Sequence, residues 1–175
     1  RERRLILSAF KHYLAAPLVD EILKDPSKLK LGGSTYEVSI IFTDLVSFTT
    51  VSEQLDAESL QKLLSRYFDE MMQILLAEGA TLDKFIGDAI MVFFGCPVPT
   101  DKHADQACRS AIKMQEKLSE LNREWTAEGM PEIKMRVGVN SGMVKAGNMG
   151  TSEIFNYTIL GDNVNLASRL EGANK

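Results

Sequence analysis

Apolar positions in this chain alternate between a period of two and a period near 3.6, and each switch marks an element boundary. Tyr36 to Phe42 (YEVSIIF) reads as a strand that ends at Thr43-Asp44. From Glu53 to Ala77, the side chains of Leu60, Leu63, Leu64, Tyr67, Phe68, Met71, Ile74 and Leu75 trace one helical face, and Gly79 is a natural stop. Two short β-type runs follow, Thr81 to Ile86 and Ala89 to Phe94. The Gly87-Asp88 pair between them predicts a hairpin with Asp88 projecting from its turn.

After Asp101, apolar residues recur at Ala104, Ala107, Ala111, Met114, Leu118, Leu121 and Trp125, a heptad seam. Its small alanines predict close packing on a sheet rather than a free coiled coil. Gly129 and Pro131 close that helix, and Lys134 to Val139 alternates as a half-buried strand should, running into Asn140-Ser141-Gly142. A strand near Ile154 to Ile159 leads through Leu160-Gly161-Asp162 into a last helix with Val164, Leu166, Ala167 and Leu170. The order is βαββαβ with additions. It predicts an α+β, ferredoxin-like sheet covered by helices on one face.

Ahead of this unit, residues 1–32 read as a helical segment of two short helices. Ile6, Phe10, Tyr13 and Leu14 share one helical face, and Pro17 opens a second turn with Leu18, Val19, Ile22 and Leu23 before Asp25-Pro26. Such a module is a connector or dimer contact, or else a helix packed on its own domain.

Composition narrows the function. The 175 residues, 45% hydrophobic and 25% charged, suffice for one domain with a full core. A net charge of -4 gives no electrostatic support for nucleic-acid binding. The longest nearly apolar stretch, Ala89 to Pro99, is broken by glycine and proline and falls far short of a membrane span. No cleavage site follows RERRLILSAF. The expectation is a cytoplasmic fragment without membrane insertion, whose parent protein could be anchored upstream. Cys96 and Cys108 show no metal spacing and read as buried free thiols. His12 and His103 read as structural or surface residues.

Candidate chemistry sits at two turns. Asp44 and Asp88 each lie at the rim of an apolar run, where an ionised carboxylate is costly unless something neutralises it. The predicted topology sets the first strand beside the hairpin, so the two carboxylates converge at one end of the sheet. A pair of carboxylates suits divalent cations and hence phosphate chemistry. Val46, Ser47, Phe48 and Thr49 then begin a helix whose free backbone N–H groups could cradle phosphates.

Together, FTDLVSFT, DKFIGDAIM and YTILGDNVNLASRLE resemble the catalytic domain of class III nucleotidyl cyclases, the adenylyl and guanylyl cyclases. The resemblance covers residues 33–175. It implies that Asp44 and Asp88, with the Leu45 backbone carbonyl, bind two divalent cations, Mg²⁺ or Mn²⁺. Lys84 and Thr158 match the pair that reads the purine: a lysine donates to adenine N1, and a threonine hydroxyl accepts from the exocyclic amine. That pair favours ATP, and threonine at 158 is similar to the class IIIb subgroup, whose members include bicarbonate-responsive enzymes. Asn165 and Arg169, one turn apart on the last helix, match the ribose-positioning asparagine and the arginine that stabilises charge on the α-phosphate.

The implied reaction is attack of the ATP 3′-hydroxyl on the α-phosphate, giving cyclic AMP and pyrophosphate. The resemblance further implies a homodimer. Asp44 and Asp88 of one subunit would meet Lys84, Thr158, Asn165 and Arg169 of the second subunit, under control of an upstream sensor domain. A guanylyl cyclase of the same fold and a non-catalytic nucleotide-sensing, dimerising domain are the alternatives. Family domains usually continue past the point matched by Lys175 with further strands and a triphosphate-binding lysine, so the expectation is a domain lacking its C-terminal part.

Overall fold

A computed structural model describes residues 16–174. The predicted first helix with Ile6, Phe10, Tyr13 and Leu14, and His12 with it, lies outside the described residues. Helix α1 (Ala16–Lys24) buries Leu18 and Val19 and ends at Asp25, whose carboxylate caps the 3₁₀ turn Pro26–Leu29 through the Ser27 amide. Strand β1 (Gly32–Leu45) is longer than its apolar run, and its centre, Val38 to Ile41, is buried on both faces. Helix α2 (Phe48–Glu53) follows a tight turn in which Ser47 takes a left-handed φ of 53°.

The single helix expected over Glu53 to Ala77 is instead split, and α3 spans only Ala57–Ala77. The cause is Asp56, whose carboxylate accepts from the Glu58 and Ser59 amides, both at 3.0 Å, and starts a new helix. Strands β2 (Thr81–Ile86) and β3 (Ala89–Phe94) form the expected hairpin, with Ile86 opposite Ala89 and Gly87 at φ 64°.

Helix α4 (His103–Ala127) buries Ala107, Met114, Leu118, Leu121 and Trp125 as anticipated, whereas Ala104 is exposed. His103 and Ser110 complete the buried stripe, which departs from the predicted seam only in the first turns of the helix. His103 is held by the Ser39 hydroxyl at 2.8 Å, a structural role.

Strand β4 (Met135–Gly150) extends well past the predicted Lys134 to Val139, straight through Asn140-Ser141-Gly142. It pairs continuously with β1 from Met135 opposite Leu45 to Asn148 opposite Gly32, and that ladder outweighs local turn propensity. Strand β5 (Phe155–Leu160) pairs with β4, and α5 (Asp162–Gly172) closes the described chain.

The five strands form one antiparallel sheet in the order β2-β3-β1-β4-β5. The first four reproduce the ferredoxin-like arrangement. A core containing Ile41, Leu45, Tyr67, Met71, Met114 and Trp125 lies between the sheet and the crossover helices α3 and α4. The expectation of helices on one face holds for that pair. Helix α5, outside the βαββαβ unit, instead sits on the other face, where Ala167 joins Val38, Ile40, Phe93, Val144 and Ile159.

Glycines permit that second layer. A Cβ at Gly138 would lie 2.3 Å from the Glu171 amide nitrogen, and one at Gly142 would lie 2.4 Å from the Asn163 side chain. The sheet also curls around this second core. The Phe93 and Tyr157 rings are 6.4 Å apart although β1 and β4 separate their strands. Of the two thiols, Cys96 is buried and Cys108 is exposed, so the expectation of two buried cysteines fails for Cys108, which sits on the solvent side of α4. No helix among the described residues is long and apolar enough to cross a membrane.

Candidate active site

Antiparallel pairing sets Thr43 opposite Ile90, so the end of β1 lies beside the β2–β3 turn and brings Asp44 next to Asp88. Asp88 Oδ2 accepts the Leu45 N–H at 2.9 Å, fixing the turn against the strand. Burial pushes the Asp88 carboxyl above the usual carboxylate range. The Leu45 amide pulls it down, and neighbouring Asp44 adds to the rise. Asp44 faces Arg136 directly across the β1–β4 ladder and accepts a hydrogen bond from its guanidinium. Arg136 Nε reaches Glu171 Oε1 at 2.9 Å, tying the carboxylate end of β1 to α5.

The donors here are two carboxylates and main-chain oxygens, hard ligands suited to Mg²⁺ or Mn²⁺. Among the described residues, no group of three or more Asp, Glu, His or Cys side chains gathers to hold a metal. A cation held by Asp44 and Asp88 would have to take its remaining ligands from main-chain oxygens, water or substrate, as magnesium commonly does. Next to the pair, the Val46 N–H already donates to the Lys134 carbonyl at 2.8 Å, which removes it from the predicted phosphate cradle. The Phe48 and Thr49 amides lie in the first turn of α2, where no intrahelical acceptor exists, and Ser47 is the residue that turns the chain into it.

A second cluster forms where the curled sheet brings its edge strands β2 and β5 into contact. Thr158 Oγ1 donates to Asp83 Oδ2 at 2.6 Å, and Lys84 Nζ lies 3.2 Å from Asp83 Oδ1. Lys84 and Thr158, from opposite edges of the sheet, thereby meet on one carboxylate.

Asn165 and Arg169 project from one exposed face of α5. Within the single chain, no hydrogen bond or ion pair among the described residues joins either of them to Asp44 or Asp88. The six side chains thus fall into three groups: an acidic pair, a pair at the sheet edges, and an exposed helical pair.

The family model described as "Adenylate and Guanylate cyclase catalytic domain" matches residues 33–175. The chain belongs to that family. "Adenylate cyclase 1" of Rhizobium meliloti (strain 1021) is 40% identical over 139 residues, which is 79% of this chain and 21% of that protein. Among solved structures, the adenylyl cyclase CyaB from P. aeruginosa superposes with a TM-score of 0.78 at 41% identity, covering 82% of this chain and 74% of that one. The guanylyl cyclase Cya2 superposes nearly as well, with a TM-score of 0.76 at 36% identity, covering 82% and 73%. The chain spans 21% to 30% of the length of the first curated relatives it matches.

Because adenylyl and guanylyl cyclase domains fit this chain almost equally, the backbone does not choose the base. Side chains must do so. Three residues that contact the candidate site are absent from the sequence-based expectations: Asp83, Arg136 and Glu171. Asp83 stands within DKFIGD, and its position beside Lys84 was the available signal. Glu171 likewise closes the YTILGDNVNLASRLE motif, whereas Arg136 carries no such signal, since only strand register brings it to Asp44.

Proposed function

We propose that the chain is an adenylyl cyclase catalytic domain that converts ATP to 3′,5′-cyclic AMP and pyrophosphate at a site shared by two copies. The carrying observation is the meeting of Lys84 and Thr158 on Asp83, because it sets a cationic donor beside a hydroxyl as one unit able to read a purine edge. Adenine offers an acceptor at N1 and a donor at N6, matching a lysine and an accepting hydroxyl.

Asp44, Asp88 and the Leu45 carbonyl would hold two divalent cations, whose Lewis acidity, when bound, lowers the pKa of the 3′-hydroxyl and neutralises phosphate charge. The raised Asp88 carboxyl fits this assignment, since part of its rise comes from Asp44, a like charge that a cation relieves. Arg136 keeps Asp44 oriented across the ladder. The amides of Ser47, Phe48 and Thr49 would donate to phosphate oxygens. The 3′-hydroxyl gives its proton to water as its oxygen forms a bond to the α-phosphorus and the bond to the bridging α–β oxygen breaks, and pyrophosphate leaves with that electron pair.

Arg169 would meet the negative charge developing on the α-phosphoryl oxygens, and Asn165 would orient the ribose. Both are exposed without partners among the described residues, beside exposed Leu166 and Leu170. That pattern supports a face completed by a second subunit.

The test uses the full-length protein with Mn-ATP, comparing wild type with Asp44→Ala and Arg169→Ala. Each variant alone should lose activity. Mixed, they should regain about a quarter of wild-type activity, because half of randomly formed dimers carry one intact site of two. Equal cyclic AMP from wild type and Asp44→Ala refutes the cation assignment, and mixtures that stay inactive refute the shared site.

A further inference from the structure

We propose that Asp83 is a positioning residue that sets purine specificity, by committing the Thr158 hydroxyl to act as a hydrogen-bond acceptor toward the 6-position of the base. The inference rests on Lys84 and Thr158 being the purine contacts. Thr158 alone cannot provide the discrimination. A hydroxyl both donates and accepts, so it suits the 6-amine of adenine and the 6-oxygen of guanine equally well.

Asp83 removes that ambiguity. Its side chain is only 1% exposed, although it stands on an edge strand. A register shift creates a bulge at this point: Leu82 pairs with Val92 and Lys84 with Met91, leaving Asp83 as the extra residue. A bulge of this kind re-aims a side chain, and here the carboxylate turns toward Thr158 of the opposite edge. The 2.6 Å bond is donated by the hydroxyl, because a carboxylate has only acceptors to offer. With its one hydrogen engaged, Thr158 Oγ1 presents lone pairs alone to the base.

Asp83 Oδ1 has no hydrogen-bond partner of good geometry, yet the Lys84 ammonium stands 3.2 Å away. The same carboxylate thus anchors a cation that can only donate. The resulting pattern, donor then acceptor, is complementary to adenine N1 and N6. It is opposed at both positions by guanine, which places N–H at N1 and oxygen at C6.

Asp83→Asn should reverse one half of the pattern. Lysine cannot accept a hydrogen bond, so the oxygen of the introduced carboxamide turns to Lys84 and its NH₂ faces Thr158. The hydroxyl then accepts from that NH₂ and donates outward, toward a 6-oxygen. The probe is ATP against ITP, which differ at N1 and C6 but not at the 2-position. Base preference is read twice in the full-length protein: as kcat/KM for cyclisation, and as equilibrium binding of the 3′-deoxy forms of both nucleotides, which cannot cyclise.

The expected result is a fall in ATP-over-ITP preference on the order of 10- to 100-fold in both readouts, the size of one gained and one lost hydrogen bond. In a Thr158→Val background the same substitution should shift the ratio less than about twofold. An unchanged ratio, or equal losses for both nucleotides, overturns the proposal and leaves Asp83 a structural residue. If Asp83→Asn does not fold, Asp83→Ala decides. With no carboxylate to hold its hydrogen, Thr158 is free to donate outward, so the preference for 3′-deoxy-ATP over 3′-deoxy-ITP should fall about tenfold, and a retained preference overturns the proposal. Failure of wild type to make cyclic AMP would instead count against the activity, since the binding readout does not depend on turnover.

Discussion

Substituting Gly138 with alanine tests how tightly the second face of the sheet is built. Its Cβ would lie 2.3 Å from the Glu171 amide nitrogen and 2.4 Å from the Ala167 carbonyl oxygen. Both are backbone atoms of α5, so no side-chain rotation relieves the clash. Ordinary contact begins near 3.4 Å, and α5 must therefore lift from β4 by roughly an ångström. Overpacking of a rigid contact costs about 3 kcal/mol. For a domain of this size that is a loss of about 6–12 °C in Tm.

The functional effect follows from what the helix carries. Asn165 and Arg169 ride on α5, and a displacement near 1 Å costs on the order of 100-fold in turnover. Gly172→Ala on the same helix is the control. Nothing lies within 4 Å of a Cβ there, so that variant should be neutral or more stable by about 0.5 kcal/mol. Chemical denaturation, hydrogen exchange of the α5 amides and cyclic AMP production report the three quantities. Should Gly138→Ala cost less than about 0.5 kcal/mol and keep wild-type turnover, the argument that α5 is seated by glycine is wrong.

Glu78 accepts from Arg109 at 2.9 Å and Lys113 at 2.5 Å, chiefly the latter, which holds its carboxyl below its ordinary value of 4.5. A depressed acid stabilises the fold above that value and loses the contribution as pH falls through the folded one. Glu78→Gln should thus cost about 1 kcal/mol at pH 7, allowing for solvent screening of the half-exposed cations, and nothing near pH 2 in paired denaturation curves. Asn122 brackets Ile133, donating to its carbonyl at 2.7 Å and accepting its amide at 2.9 Å. Asn122→Ala should cost about 2 kcal/mol without altering nucleotide preference, and an effect under about 0.5 kcal/mol would sink this account. Burial pushes the Cys96 thiol up to about 12, whereas Cys108 is exposed. Iodoacetamide at pH 8 should label Cys108 and spare Cys96 until denaturant is added, and equal labelling of the native protein contradicts that burial.

Periodicity alone was enough for the element order and the βαββαβ plan, because apolar residues must share a face wherever a helix or strand meets a core. It also placed Asp44 beside Asp88, since a hairpin fixes its own turn and the antiparallel plan fixes which strand end that turn meets. The motifs were enough for the family, as the match over residues 33–175 bears out. Local signals failed where long-range pairing outweighed them. The strand predicted over Lys134 to Val139 continues through Asn140-Ser141-Gly142 in a ladder with β1, and Ala104 fits a heptad yet faces solvent because His103 is drawn inward to Ser39.

Three things were decided by tertiary structure. Arg136 meets Asp44 only through strand register, and Glu171 joins them only because glycines let α5 settle on β4. Asp83 becomes the link between Lys84 and Thr158 only because a twisted sheet curls until its edge strands touch. A sequence states which groups are present and which neighbours share a face. Where the proton of a threonine hydroxyl points depends on a carboxylate 75 residues away, and the folded sheet alone brings them within 2.6 Å.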